Sequence, residues 1–227
     1  MRRHRDVLVV ATTNRGKLDE LRALLADLPL DITALSDRLR DPPRTLEDGA
    51  TFAENAAKKA RAAADATAML ALADDSGLEV DALGGRPGVH SARFAHERAS
   101  DAENNAALLA ALEGLTDPIV GASEIPGFAA RFRCVLALID PFTGDGQPRI
   151  VEGVCEGTIA RTPRGSGGFG YDPVFVVSGT NRTMAELDPE EKRRISHRAR
   201  AVAALRPILE EVLRKRAEQV ARVMSAG

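Results

Sequence analysis

Cysteine is scarce in this 227-residue chain, which has two, together with one tyrosine and no tryptophan. Two cysteines cannot build a disulfide framework. Cys134, inside an apolar run, and Cys155, in "EGVCEGTI", read as reduced buried thiols. No Cys/His spacing suits a structural metal. Long hydrophobic runs are missing as well, and no window approaches a membrane span. The stretch "MRRHRDVLVVATTN" is basic and then apolar, but its apolar piece, residues 7–11, is too short for the core of a signal peptide. The chain also lacks a charge excess of either sign: the formal net charge is −2. Wrapping long nucleic acid calls for a basic face, whereas a small anionic ligand needs only local positive charge. These absences leave a soluble cytoplasmic protein that takes a small molecule, with no nucleic-acid or membrane partner.

What is present is ordinary globular composition, 44% hydrophobic and 28% charged. The length suits one large domain or two lobes sharing a core. Residues 7–11 read as a buried strand, "TTNRGK" as a polar turn, and Leu18, Leu21, Leu24, Leu25 and Leu28 as one face of a helix that Pro29 ends. "SDRLRDPPRTLEDGA" reads as a loop. Thr51 opens a second helix, Ala-rich and running to Met69, with Glu54 placed to reach back to the cap's own N–H. "LALAD" reads as a short buried strand closed by a turn at Ser76-Gly77. Residues 102–112 form a helix, and residues 117–128 a polar linker. Residues 131–139 and 150–159 are strand-like and able to pair as a hairpin. A glycine-dense loop, "RTPRGSGGFGYDP", leads into a strand over 174–177. Asp188-Pro189 starts a helix, broken near Ser196, bent at Pro207 and fraying beyond Arg216. Alternating strands and helices followed by a hairpin predict an α/β fold with a mixed sheet.

Five segments carry candidate chemistry, each with a plainer alternative. "TTNRGK" joins a strand to a helix N-terminus, where unpaired N–H groups and the dipole favour anions. Thr12, Asn14 and Lys17 there suit a phosphate. Alternatively, Asn14 caps the helix, Gly16 relieves a tight turn and Lys17 is solvated. The spacing is not that of a Walker A loop. Asp74 and Asp75 end an apolar strand, where a carboxylate can hold Mg²⁺ or accept a proton from water; the alternative is a turn with Asp75 as a cap. Glu47 is either a second metal ligand or a solvated loop charge. Lys58 and Lys59 are either a solvated pair or a source of one phosphate-binding ammonium. In "GSGGFGYDP", Phe169 either stacks on a base or plugs the core. In "EEKRRISHR", Ser196 looks like a cap. His197 and Arg198 would then sit in a first turn, against the dipole preference for anions, and such a broken local rule hints at function.

In order, "ATTNRGK", "TFAENAAKKA", "ADDSGLEVDALGGRPGVHSARF", "GSGGFGYDP" and "EEKRRISHR" resemble the inosine triphosphate pyrophosphatase family, over nearly the whole chain. The resemblance implies an elongated α/β protein, a single domain of residues 1–227 with two lobes around a long mixed β-sheet and a cleft lined by N- and C-terminal segments. It is usually a homodimer. It implies Mg²⁺-dependent hydrolysis of a non-standard purine nucleoside triphosphate to the monophosphate and pyrophosphate. Thr12, Thr13, Asn14, Arg15, Gly16 and Lys17 would bind the triphosphate. Glu47 and Asp75 would hold Mg²⁺. Asp75 would be the general base with Asp74 beside it, and Lys59 and Ser76 would line the phosphate end. Phe169, Gly170, Tyr171 and Asp172 would form the base side, and Lys192, His197 and Arg198 would reach the nucleotide. On this reading the divalent cation makes the adjacent Asp74 and Asp75 charges tolerable. The linker over 117–128 is longer than the family leads one to expect. Two other readings are a Mg²⁺-dependent phosphomonoesterase with an aspartyl nucleophile, although the Asp-x-Asp spacing is missing, and a catalytically silent nucleotide-binding module.

Overall fold

The structure, a computed structural model, describes residues 5–115, 127–142 and 146–225. The elements run β1 (Asp6–Val10), α1 (Arg15–Leu24), β2 (Leu30–Ala34), α2 (Leu35–Arg38), α3 (Phe52–Thr67), β3 (Leu70–Val80), α4 (Asp101–Leu112), β4 (Phe128–Ile139), β5 (Arg149–Ile159), β6 (Phe175–Val177), α5 (Pro189–Ile195) and α6 (His197–Ser225). The six strands form one sheet in the order β2-β1-β3-β4-β5-β6. β1 pairs in parallel with β2 and β3, whereas β5 and β6 are antiparallel. The sheet is therefore mixed, as expected of this α/β chain. The polar linker over 117–128 lies almost wholly outside the described residues; Phe128 already belongs to β4. Among the described residues no helix is long and apolar enough to cross a membrane.

The chain divides into two compact units. One comprises Met1–Asp75, Val135–Glu152 and Ala201–Gly227, the other Ser76–Cys134 and Gly153–Arg200. In the first, Leu8, Val9 and Val10 of β1 are fully buried, the continuous apolar pattern of a parallel strand covered on both faces. Ala56, Ala60, Ala63 and Ala64 give α3 a buried stripe of small side chains, which lets the helix approach the sheet closely. The second unit has its own core of Leu78, Val80, Leu108, Phe128, Phe132, Tyr171, Phe175 and their neighbours. Cys134 and Cys155 form no disulfide and are buried, and burial pushes the Cys155 thiol up to about 11.

Several local expectations need correction. β2 has no reading in the sequence, because its alternation is short and half-exposed; it forms because β1 offers it a parallel ladder, and α2 then takes the first residues of the expected loop. The proposed turn at Ser76-Gly77 is the middle of β3. Gly77 is there for space: a Cβ on it would lie 2.6 Å from the Gly88 carbonyl oxygen, and Ser91 Oγ accepts the next N–H, that of Leu78, at 2.9 Å. A glycine inside a strand marks such an approach. α3 stops at Thr67, with Ala68 in the left-handed region. Thr51 caps it by accepting from Glu54 N, but Glu54 reaches back to Ala50 N rather than to Thr51 N. The last strand is three residues, Phe175–Val177. α6 remains helical to Ser225, well past Arg216, where fraying was expected. Arg216 ties it down through Asp6 and Asp140, each at 2.8 Å.

Candidate functional site

In the first unit the parallel register decides what meets what. Val10 pairs with Leu72, so the loop leaving β1 emerges beside Asp74 and Asp75 on the longer β3. That loop is built from its own side chains: Thr12 Oγ1 accepts from Asn14 N at 3.1 Å, and Asn14 Oδ1 from Lys17 N at 3.1 Å. Asn14 is thus the cap of α1, which turns Lys17 back over the strand ends. Lys17 Nζ lies 2.7 Å from Asp74 Oδ1. Thr13 and Arg15 point to solvent, and Gly16 is half-buried.

Asp75 has a different cation. Lys59 Nζ donates to Asp75 Oδ1 at 2.6 Å, to Glu47 Oε1 at 3.0 Å and to the Asp74 carbonyl oxygen at 2.9 Å. All three ammonium donors are therefore in use. Lys58 turns instead to Asp48 on the surface. Successive strand side chains point to opposite faces, and the two adjacent aspartates are separated in this way, each with its own lysine. Lys17 sets a positive charge against Asp74, and Lys59 one against Asp75 and Glu47. Burial raises the Asp75 carboxyl above its ordinary range, and Lys59 offsets this only in part. Burial opposes the Lys59 ammonium too, but Asp75 and Glu47 together hold it above its usual value.

Asn55 was not singled out from the sequence. It is buried, donates from Nδ2 to Asp75 Oδ2 at 3.3 Å and accepts from Gly49 N at 2.8 Å. It lies four residues before Lys59, on the same face of α3. That spacing was the available signal: two polar residues on an otherwise Ala-lined buried stripe.

In the second unit, loop residues and the start of α6 gather around Phe169. Its ring is only partly buried and is absent from the core, so it does not act as a plug. Lys192 Nζ lies 4.9 Å from the ring centroid, and the Arg198 guanidinium carbon 5.7 Å. Asp172 Oδ2 accepts from Phe169 N at 3.1 Å and from Lys192 Nζ at 2.7 Å. Tyr171 is core: its hydroxyl donates to Ser91 O at 2.8 Å, and burial raises it well above the usual phenol value. Ser196 ends α5 and caps α6 through Ala199 N, leaving His197 and Arg198 in the first turn of α6. Both are buried. His197 stacks on Phe132 at 4.8 Å, and Arg198 Nη2 donates to Ser76 Oγ at 3.0 Å. Gly170 is gripped from α4, which the sequence gave no reason to notice: its N–H donates to Asp101 Oδ2 at 2.7 Å, and its carbonyl accepts from Asn105 Nδ2 at 2.9 Å.

The parallel flanking of β1 by β2 and β3, with the antiparallel β5–β6 pair at the other end of the sheet, defines a mixed-sheet α/β protein, and open α/β sheets receive ligands beyond the carboxyl ends of their parallel strands. More narrowly, the chain belongs to the Ham1 family, whose model matches residues 8–208. It is 49% identical over 207 residues to a protein of Geobacillus kaustophilus named dITP/XTP pyrophosphatase, covering 91% of this chain and 95% of that one. It is 50% identical over 199 residues to a Geobacter sulfurreducens protein of the same name, covering 88% and 94%. Among solved structures, a HAM1 protein from Coxiella burnetii superposes with a TM-score of 0.77 at 45% identity, over 90% of this chain and 98% of that one.

Proposed function

We propose that the protein hydrolyses deaminated purine nucleoside triphosphates (ITP, dITP and XTP) to the monophosphate and pyrophosphate, and so clears them from the nucleotide pool. Relatives named dITP/XTP pyrophosphatase support this reading. The observation that carries it is the double pairing of Lys17 with Asp74 and of Lys59 with Asp75 and Glu47. Cations that can meet a polyphosphate lie beside carboxylates that can take a proton.

Mg²⁺ belongs to this proposal. Among the described residues no three His, Cys, Asp or Glu side chains form a cage. Mg²⁺ is commonly bound through one or two carboxylates plus substrate phosphates and water. Glu47 and Asp75, which already converge on one cation, fit that donor set and would hold it. When bound, the ion neutralises phosphate charge and makes water more acidic.

The chain's own residues would do the rest. Asp75 accepts a proton as the water oxygen bonds to the α-phosphorus. The bond from that phosphorus to its bridging oxygen breaks, and pyrophosphate leaves. An elevated carboxyl suits a general base, because its proton affinity moves toward the working pH. Lys17, Lys59 and the N–H groups opening α1 meet the phosphates, with Thr12 and Asn14 shaping that loop. Phe169 stacks on the base, with Lys192 and Arg198 beside it. Hypoxanthine and xanthine present an acceptor at O6, which Arg198 can satisfy. Adenine presents an amino donor, and donor facing donor in a buried site is costly. Assembly as a homodimer and a cytoplasmic location complete the reading, both on the family resemblance.

A panel of triphosphates with phosphate products resolved tests it. Pyrophosphate from ITP and XTP, little from ATP and loss of turnover with chelator are expected. Equal turnover of all standard triphosphates would refute the specificity, and orthophosphate as the first product would favour a phosphomonoesterase.

A further inference from the structure

We propose that Asp101 and Asn105 of α4 are positioning residues for the nucleobase. They set the Gly170 peptide and, through it, the platform that Phe169 offers. This rests on the function proposed above. Residues four apart on a helix share a face, and here they take opposite ends of one residue. Asp101 accepts the Gly170 N–H, and Asn105 donates to the Gly170 carbonyl. Such a two-point grip fixes the backbone torsions between the two groups. Gly170 stands at φ +63, with no atom within 4 Å of where a Cβ would lie. Its glycine therefore serves conformation rather than space. On the other side of Phe169, the backbone N–H is held by Asp172 Oδ2, which Lys192 also grips. The Phe169 main chain is thus fastened at both ends, while its ring stays partly open with Lys192 and Arg198 alongside.

Asn105 bears the mark of a residue kept for this task. It is 7% exposed, yet its buried Oδ1 has no hydrogen-bond partner among the described residues. A stranded acceptor is unfavourable for folding, and such local departures concentrate at functional sites. Asp101 is exposed, so its replacement leaves the core intact.

The experiment measures binding of inosine 5′-monophosphate and of pyrophosphate by calorimetry, with ITP kinetics alongside, for wild type, Asp101→Ala, Asp101→Asn and Asn105→Asp. Losing one charge-assisted hydrogen bond is expected to weaken monophosphate binding about 10-fold in Asp101→Ala and to raise KM more than kcat falls. Pyrophosphate binding stays within about 2-fold, because no phosphate-binding group is touched. Asp101→Asn keeps an acceptor at the same reach and restores most of the affinity. Asn105→Asp keeps the volume but sets an acceptor against the Gly170 carbonyl, so it reproduces the nucleoside-selective loss. Unchanged monophosphate affinity in folded Asp101→Ala and Asn105→Asp would overturn the inference. So would equal loss of both ligands, or a wild type that binds no inosine monophosphate. A wild type that binds it but does not turn over ITP would instead overturn the proposed reaction, leaving the binding contrast to judge the positioning role.

Discussion

Lys59 Nζ lies 2.6 Å from Asp75 Oδ1, and both side chains are almost wholly buried. The pair joins the middle of α3 to the end of the apolar run of β3. It makes a nearly buried carboxylate dependent on one ammonium.

Asp75→Asn is expected to lower kcat roughly 10²–10⁴-fold, the range for removing a general base, with circular dichroism unchanged. Lys59→Met leaves a buried carboxylate without its cation, so it should cost stability as well as activity, by about 3–5 kcal/mol. Urea melts of the two variants check this: wild-type stability for Lys59→Met would show that the pair does not hold the fold.

Gly77→Ala should destabilise the second unit by roughly 1–3 kcal/mol, as overpacking does. The added methyl would sit 2.6 Å from Gly88 O and 3.0 Å from Ser91 Cβ. A midpoint equal to wild type in chemical denaturation would show that residues 88–91 yield at no cost.

Glu103 supplies a pH signature. The Ser100 backbone N–H first, then its hydroxyl and His96, hold the Glu103 carboxyl down to about 2. A lowered carboxyl contributes stability above its unfolded value of 4.5, and that contribution is lost as pH falls through about 2. The melting-temperature difference between wild type and Glu103→Ala should therefore be present just above pH 4.5 and close between about 4.5 and 2. A difference that widened as pH fell below 4.5 would contradict the capping role.

The end of α6 divides at Arg216. Residues 218–225 are exposed, so ending the chain after Ala217 should shift stability by less than about 0.5 kcal/mol. Arg216→Ala strips the guanidinium from Asp6 and from the nearly buried Asp140 and should cost roughly 3 kcal/mol. Thermal melts separate the two. Equal effects would mean that the helix end, not the arginine, fastens α6.

Much of the fold was legible because its signals are local. The buried run of β1, the leucine face of α1, the Thr51 and Asp188 caps and the Ser196 break all act within a few residues. β2 was not legible, because a five-residue half-exposed strand is stabilised by its ladder to β1 rather than by its own pattern. Ser76-Gly77 misled for a related reason: residues that usually make turns were placed in a strand because a distant segment, Gly88–Ser91, packs against that glycine.

For the site, the sequence by itself determined which chemistry was available: two adjacent carboxylates, a glycine-rich loop with one phenylalanine, and cations in a helix's first turn. Tertiary structure alone decided the partners. Only the β1–β3 register brings Lys17 to Asp74, and only the face of α3 turned to β3 makes Lys59 the buried lysine and Lys58 the solvated one. Asn55, Asp101 and Asn105 came to notice through contacts 20 to 69 residues away along the chain. Short-range patterns record how a segment folds, whereas hydrogen bonds and ion pairs depend on atoms that only the completed packing brings within bonding distance.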